Sequence, residues 1–322
     1  MDYRELGRTG FKISTIGIGT WAMGSSWGAV DDIASLATLN RALDLGVNIF
    51  DTADVYGSEP LLGRLRRERS EPFYIATKMG VRMNPDPKAY TRENMTAFAE
   101  ESLRNLGTET IDLMQLHVPP IEVYNAETFG ILDGLVAQGK IRQYGVSVET
   151  IEQALKALEF PGVQSVQIIF NIFRQRPAEE FFAEAKRHGV GIIARVPLAS
   201  GLLTGKMSRE STFAPDDHRN YNREGQAFDQ GETFAGVDFE SGLQAIEELR
   251  ALVVPGASMA QLALRWILMF EDVTCAIAGA RRPEQATDNI GAADLPALSD
   301  SAMAEIRAIY DRHIRAQVHD RW

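Results

Sequence analysis

Short runs of apolar residues alternate along this chain with longer segments in which apolar positions recur every three or four residues. The short runs are typical of buried β-strands, and the longer spacing is typical of helices with one apolar face. Because each strand-like run is joined to the next by a helical pattern, the strands are expected to pair in parallel. The strand-like runs cover residues 15–19, 47–50, 73–76, 111–116, 143–146, 163–168, 190–194 and 273–277.

The predicted helices between these strands have recognisable ends. Asp31 and Thr91 stand where two helices begin, and their side-chain oxygens can accept hydrogen bonds from the first helical turn. Glycine adopts the left-handed conformation that often follows a helix. It stands where four helices are expected to end, at Gly46, Gly107, Gly139 and Gly189.

Eight strands joined by helices predict an α/β fold, a (β/α)8 TIM barrel that forms one domain over residues 1–322. A doubly wound open sheet is the structural alternative, and it would have a glycine-rich phosphate-binding turn after its first strand. The segment Gly17-Ile18-Gly19 fits that fingerprint poorly. The closed barrel is therefore favoured.

Two segments lie outside this repeat. Residues 1–14 contain turn residues between Tyr3 and Phe11, which predicts an N-terminal β-hairpin that plugs the lower end of the barrel. Residues 206–240 are polar with scattered aromatic residues, and they follow the seventh strand on the catalytic face of a barrel. We interpret this long loop as a lid or cofactor clamp, with a disordered insertion as the alternative.

Composition and charge narrow the classes of partner. The chain has 33 Lys and Arg against 44 Asp and Glu, a formal net charge of -11, which disfavours nucleic acid and anionic membranes. No apolar run approaches the roughly 20 residues of a membrane helix, and the start lacks the apolar core of a signal peptide. A single cysteine, Cys275, suits a reducing compartment. We expect a cytoplasmic protein that is monomeric by default, with a homo-oligomer as the alternative.

Ionisable side chains stand at the ends of three consecutive predicted strands. Asp51 follows the second strand with Tyr56 shortly beyond it, Lys78 ends the third, and His117 ends the fourth. Because the strands of a parallel barrel end at one rim, these side chains are expected to gather there. Each alone has a commoner structural explanation, such as a helix cap for Asp51 or packing for Tyr56. Together they indicate proton-transfer chemistry.

These groups suit the donation of a proton to a carbonyl oxygen while a hydride reaches its carbon. An ammonium at Lys78 would stabilise the Tyr56 phenolate and lower its pKa, and Asp51 would keep Lys78 charged. A neutral His117 could donate a hydrogen bond to the substrate oxygen, and a nicotinamide would be the hydride source. A Schiff-base aldolase with Lys78 as nucleophile is the alternative, although that role needs a neutral amine. No HExxH or Cys/His cluster occurs in the sequence, so no metal is expected.

Motifs along nearly the whole chain resemble those of the aldo-keto reductases, in the branch of single-chain bacterial members. The resemblance is weakest in residues 206–240. The matching motifs are Gly17-Ile18-Gly19-Thr20-Trp21, the run from Asn48 to Gly57, Ala76-Thr77-Lys78, the run from Ile111 to His117, Gly139 to Ser147, Pro197 to Lys206 and Gly279 to Gln285.

The resemblance implies a barrel that binds NADPH or NADP⁺ across its upper face, NADH being the less favoured cofactor. It places the proton donor at Tyr56, its partner at Lys78, the anchor of Lys78 at Asp51 and the carbonyl-orienting residue at His117. Nicotinamide contacts fall on Ser147, Gln167 and Asn171, the 2′-phosphate contact on Arg281, and adenine contacts on Gln285 and Asn289. Further cofactor contacts fall on Thr20, Trp21, Asp51, Arg195, Pro197, Leu198, Gly201, Leu203, Gly205, Lys206 and Gly279.

Two positions depart from the family pattern. Val148 stands where an asparagine is usual, which removes one expected hydrogen bond to the nicotinamide amide. Arg195 stands where an aromatic residue commonly stacks on the nicotinamide. Its guanidinium either packs flat on that ring and disfavours the oxidised cofactor, or turns to a neighbouring carboxylate.

The implied substrate is a small aldehyde or ketone, which the sequence does not identify further. Trp21, Trp27, residues 81–90, residues 118–120 and residues 206–240 are expected to form the pocket walls. Trp322 either reaches the pocket or belongs to a disordered end. Since some relatives of this fold serve as redox-sensing partners of other proteins, an NADPH-binding regulatory subunit with little turnover is a second alternative.

Overall fold

A computed structural model describes residues 1–24 and 31–322 of the chain. In it, eight parallel strands close into a barrel in the order β10-β3-β4-β5-β6-β7-β8-β9. The predicted (β/α)8 barrel is confirmed, and each apolar run named from the sequence lies within or overlaps one barrel strand. These strands are β3 Ile16–Gly19, β4 Ile49–Asp51, β5 Tyr74–Met79, β6 Ile111–His117, β7 Ile141–Ser147, β8 Val163–Ile169, β9 Gly191–Arg195 and β10 Val273–Gly279.

Helices connect the barrel strands and cover their outer side. Their bounds are α1 Asp32–Asp44, α2 Glu59–Glu68, α3 Arg92–Leu106, α4 Ala126–Ala137, α5 Ile151–Ala157, α6 Arg176–Glu180, α7 Phe182–His188, α8 His218–Tyr221, α9 Phe239–Leu249, α10 Met259–Leu268, α11 Pro283–Gly291, α12 Asp300–His313 and α13 Arg315–Val318. Asp31 caps α1 and Thr91 caps α3 through side-chain hydrogen bonds of 2.9 and 3.2 Å, as predicted. None of the helices among the described residues is long and apolar enough to cross a membrane.

An antiparallel hairpin precedes the barrel, formed by β1 Tyr3–Glu5 and β2 Lys12–Ser14. Its residues Leu6 and Ile13 are buried in one apolar cluster with barrel residues such as Ile193. At Gly7, which has a φ of 53°, an added Cβ would lie 2.5 Å from the backbone nitrogen at the start of β9. The hairpin therefore covers the end at which the barrel strands begin, and it leaves the opposite rim open for a site.

The loop after β9 is ordered into short turns. Residues 206–240 contain α8 and two single 3-10 turns, Gln230–Glu232 and Phe234–Gly236. Ser200, on the preceding loop, donates to the Glu232 carbonyl at 2.8 Å and accepts from the Phe234 N–H at 3.1 Å. The His218 ring also packs on Trp21, with 4.8 Å between ring centroids. The segment thus lies against the open rim of the barrel.

Candidate active site

The Asp51 carboxylate connects several strand ends at the open rim. Its Oδ1 accepts a hydrogen bond from Lys78 Nζ at 2.5 Å, and its Oδ2 accepts from Gln167 Nε2 at 2.8 Å. Gln115 Nε2 lies 3.5 Å from the same Oδ2. The Lys78 ammonium also donates to the Thr52 carbonyl at 2.9 Å. β4, β5, β6 and β8 therefore contribute to one buried polar network.

Tyr56 and His117 meet next to this network. Tyr56 Oη lies 3.5 Å from His117 Nε2, and their rings pack edge to face. Lys78 Nζ lies 5.0 Å from the centre of the Tyr56 ring. His117 Nδ1 is buried and has no hydrogen-bond partner among residues 1–24 and 31–322. The structure thus brings together the side chains of Asp51, Tyr56, Lys78 and His117.

The protonation state of Tyr56 differs from the simple expectation that Lys78 lowers its pKa. Removal from water raises the pKa of Tyr56 well above its usual value, and the Asp51 carboxylate raises it further. The positive charge of Arg195 acts in the opposite direction, but burial is the larger effect. Tyr56 therefore keeps its proton near neutral pH, which is the state that a proton donor needs.

The two basic groups are also shifted by burial. Burial lowers the pKa of Lys78, while the Asp51 carboxylate acts in the opposite direction. Burial lowers the pKa of His117 well below its usual value, and the positive charges of Lys78 and Arg195 add to this effect. The imidazole is therefore neutral at physiological pH, so one ring nitrogen can donate and the other can accept.

A cavity of about 410 Å³ opens beside Tyr56 and continues across the rim. Its walls are largely apolar, and they include residues that follow β9 and β10 as well as Asp51 at the end of β4. Twelve of the residues that the resemblance assigns to cofactor binding line this cavity: Trp21, Asp51, Gln167, Arg195, Pro197, Leu198, Gly201, Lys206, Gly279, Arg281, Gln285 and Asn289.

Five of the assigned cofactor residues do not line this cavity: Thr20, Ser147, Asn171, Leu203 and Gly205. Asn171 is fully buried, where its Nδ2 donates to the Val196 carbonyl and its Oδ1 accepts from the Phe173 N–H. Thr20 donates to the Asp51 carbonyl at 2.9 Å. Both side chains thus make hydrogen bonds within the protein, and their assignment as cofactor contacts stays a prediction.

Of the two tryptophans Trp27 and Trp322, the structure describes only Trp322. Trp322 is buried, lies outside the cavity and packs against the loop formed by residues 206–240, so it is neither a pocket wall nor part of a disordered end. Trp27 lies outside the described residues.

Arg195 takes the second of its two predicted arrangements. Its Nη1 pairs with the Glu232 carboxylate, and its Nη2 donates to the Val148 carbonyl at 2.8 Å. Both departures from the family pattern, Arg195 and Val148, therefore contact each other. Glu232 also lines the cavity, and sequence reasoning missed it. A buried arginine needs a carboxylate partner, so the sequence allowed the prediction that Arg195 has one. It did not show which acidic residue of the loop that partner is.

The chemistry of the lining fits an extended anionic cofactor with an amide at one end. Gln167 lines the same cavity as Tyr56, where it could contact a carboxamide. Lys206 follows β9 and Arg281 follows β10, strands on the opposite side of the barrel from β5 and β6. Arg281 is close to the start of α11, where backbone N–H groups also favour anions. These residues would hold a nicotinamide dinucleotide without a Rossmann domain.

Glu149, just beyond β7, carries a carboxyl group whose charge is disfavoured in the folded protein. Burial and the nearby Asp229 raise its pKa to about 7, although Arg195 opposes the shift. The folded state therefore binds more protons than the unfolded state between about pH 4.5 and 7, and the free energy of unfolding falls as pH rises through this window.

Glu149→Gln is expected to raise the free energy of unfolding at pH 8 by on the order of 3 kcal/mol, since the pKa of Glu149 rises from 4.5 to about 7 and each pKa unit corresponds to about 1.4 kcal/mol. At pH 4 the Glu149 carboxyl is largely protonated in both the folded and the unfolded protein, so the gain in the free energy of unfolding should vanish. Urea unfolding at the two pH values measures this, with the exposed Glu122→Gln as control. An equal effect of Glu149→Gln at both values would contradict the assignment.

Comparison with known proteins gives a consistent set of matches. Residues 15–311 match the model of the Aldo/keto reductase family. The aldo-keto reductase YhdN of Bacillus subtilis is 34% identical over 88% of this chain and 86% of its own length. An L-glyceraldehyde 3-phosphate reductase of Escherichia coli is 31% identical over 98% of this chain and 92% of its own length.

Two further matches carry different activities in their names. A probable voltage-gated potassium channel subunit beta of Arabidopsis thaliana is 29% identical, covering 96% of each chain. The structure of a glycerol dehydrogenase from Gluconobacter oxydans superposes with a TM-score of 0.79 at 32% identity, covering 97% of this chain and 96% of that one.

Proposed function

Because this chain belongs to the aldo/keto reductase family and is an oxidoreductase, we propose that it reversibly reduces an aldehyde or ketone to an alcohol with NADPH. The substrate is a small carbonyl compound, and the protein acts in the cytoplasm as a monomer. Residues 206–240 serve as the lid of a single-domain barrel. The observation that carries the proposal is the protonated Tyr56 hydroxyl 3.5 Å from His117 Nε2, at an apolar cavity.

The protein's part in the reaction is to bind the carbonyl and deliver a proton to its oxygen. Tyr56 Oη and His117 Nε2 lie 3.5 Å apart, so a carbonyl oxygen bound next to both atoms could accept a hydrogen bond from each. Tyr56 then transfers its proton to the oxygen as negative charge develops on it. A nicotinamide bound in the cavity would supply the hydride to the carbonyl carbon.

The Asp51–Lys78 pair acts on the Tyr56 phenolate. Lys78 Nζ lies 5.0 Å from the Tyr56 ring, so its positive charge stabilises the phenolate that forms after proton transfer. Asp51 holds the ammonium in place, and Gln167 and Gln115 hold Asp51. The network therefore fixes the donor before the substrate arrives, which avoids reorganisation during the reaction.

NADPH oxidation with a panel of small aldehydes and ketones tests this function. We expect loss of NADPH absorbance that depends on the carbonyl compound, and the reverse reaction with alcohols and NADP⁺. Tight NADPH binding without turnover on any carbonyl would contradict it. That outcome would favour an NADPH-binding regulatory subunit, the alternative that the likeness to a potassium channel subunit beta supports.

The geometry argues against the aldolase alternative. The Lys78 side chain is 1% exposed and does not line the cavity, so its amine does not face a bound carbonyl. A Schiff base requires direct attack of that amine on the substrate carbon. Borohydride treatment in the presence of a ketone should therefore leave Lys78 unmodified, and a trapped adduct would overturn this conclusion.

Arg281→Ala tests the proposed preference for NADPH. If Arg281 binds the 2′-phosphate, its loss should raise the Kd for NADPH about tenfold to hundredfold, the usual value of a charge-assisted hydrogen bond, and should change the Kd for NADH little. Fluorescence titration with both cofactors measures this. Arg282→Ala is the matched control, because this neighbouring side chain is exposed and does not line the cavity. Equal losses for both cofactors would place the phosphate elsewhere.

A further inference from the structure

Glu232 occupies an unusual place, because it belongs to the loop after β9 and yet reaches the reacting centre. Its carboxylate lines the cavity together with Tyr56, and it pairs with Arg195 at the end of β9. The negative charge of Glu232 raises the pKa of Tyr56, and the positive charge of Arg195 lowers it. The position of this ion pair therefore bears directly on the proton donor.

The backbone that carries Glu232 does not hold its shape by itself. Phe234 and Ala235 have φ values of 53° and 60°, in the left-handed region that non-glycine residues seldom occupy. Two consecutive residues of this kind persist only when surrounding contacts support them. On one side this support comes from Ser200, which hydrogen-bonds to the backbone of Glu232 and Phe234.

Trp322 supports the same turn from the other side. Its indole Nε1 donates to both carboxylate oxygens of Asp229, at 3.0 and 3.1 Å. Asp229 in turn accepts from the Gly231 N–H at 2.7 Å and caps the short turn that ends at Glu232. The Asp229 side chain thus connects Trp322 to the segment that carries Glu232.

The Trp322 ring also fills the space under this turn. A Cβ added at Gly236 would lie 2.5 Å from the ring, so the backbone rests directly on the indole. The ring also meets the Arg174 guanidinium, 4.1 Å from the ring centre. Arg174 itself reaches the Ala235 carbonyl at 3.4 Å. The turn is therefore held between Ser200 and the Trp322–Arg174 stack.

We propose that Trp322 is a positioning residue: through Asp229 and the turn at residues 229–236, it holds Glu232 on Arg195 beside Tyr56. The effect of Trp322 on catalysis rests on the proposed carbonyl reduction. Its stabilisation of the turn at residues 229–236 is independent of that function. A purely structural role would stabilise the fold without affecting how Glu232 acts. A positioning role requires that the effect of Trp322 on turnover passes through Glu232.

Trp322→Ala and Trp322→Phe separate the ring packing from the N–H group, since phenylalanine keeps an aromatic ring but cannot donate to Asp229. Hydrogen–deuterium exchange in the cofactor-free protein should accelerate at residues 229–236 in both variants, more in the alanine variant, with the barrel strands unchanged. Unchanged exchange in this turn would overturn the proposal, whether or not the wild type reduces carbonyls.

The second measurement is a double-mutant cycle with Glu232→Gln, read as kcat/KM on an aldehyde that the wild type reduces. Trp322→Ala should lower kcat/KM roughly tenfold, as expected for a small displacement near the reacting groups. In the Glu232→Gln background the same change should cost much less, because the two residues act in series. Fully additive losses, or an unchanged kcat/KM in Trp322→Ala, would overturn the positioning role. Accelerated exchange in a protein without any turnover would instead contradict the proposed function and leave the hold on the turn established.

Discussion

Tyr56→Phe is expected to lower kcat for carbonyl reduction by about 10²–10⁴-fold, the usual contribution of a general acid, while the Kd for NADPH stays nearly unchanged. The substitution removes only the hydroxyl that lies 3.5 Å from His117 Nε2 and leaves the ring in place. Because that hydroxyl is the proposed source of the proton, the developing alkoxide would lack its general acid. Stopped-flow kinetics and fluorescence titration of NADPH measure the two quantities separately.

Tyr3→Phe is the matched control for this substitution. Tyr3 also loses a hydroxyl hydrogen bond, to the Gly46 carbonyl at 2.8 Å, but it belongs to the hairpin at the opposite end of the barrel. Its kcat should remain that of the wild type. A Tyr56→Phe variant that turns over normally would refute the role of Tyr56, and one that fails to bind NADPH would show that the residue acts on the cofactor.

Lys78→Met should both abolish turnover and lower the free energy of unfolding by about 3–5 kcal/mol, the cost of leaving one member of a buried ion pair without its partner. The Lys78 and Asp51 side chains are 1% and 7% exposed, so water does not replace the lost ammonium. The phenolate of Tyr56 would also lose the positive charge that lies 5.0 Å from the centre of its ring. Urea unfolding and steady-state kinetics measure the two effects.

A second substitution separates the effect of Lys78→Met on stability from its effect on turnover. Lys78→Met combined with Asp51→Asn removes both charges, so it should recover part of the stability without restoring turnover. Lys140→Met is the control, because Lys140 pairs with Glu100 at the surface, where such pairs contribute at most about 1 kcal/mol. A stable Lys78→Met variant would show that Asp51 is protonated or rehydrated when the ammonium is absent.

Much of the fold could be predicted because its signals are local. Asp31 and Thr91 cap helices through bonds to residues two or three positions away, so the caps are visible in a short stretch of sequence. The apolar runs mark strands buried on both faces for the same reason. The structure extends several of these strands beyond their apolar runs, as in β5, where Lys78 is paired within the barrel although its side chain is charged. The charge of Lys78 is paired there with Asp51, which the local pattern of β5 does not contain.

The barrel, the helix ends and the meeting of Asp51, Tyr56, Lys78 and His117 could all be predicted from the sequence, because parallel strands that close into a barrel must end at one rim. The pairing of side chains from distant segments became visible only in the folded structure. Arg195 turned to Glu232, 37 positions away, and Trp322 reached Asp229, 93 positions away. Asn171 turned inward to the Val196 carbonyl. Such contacts depend on which loop packs against which, and no periodicity or spacing in the sequence encodes that choice.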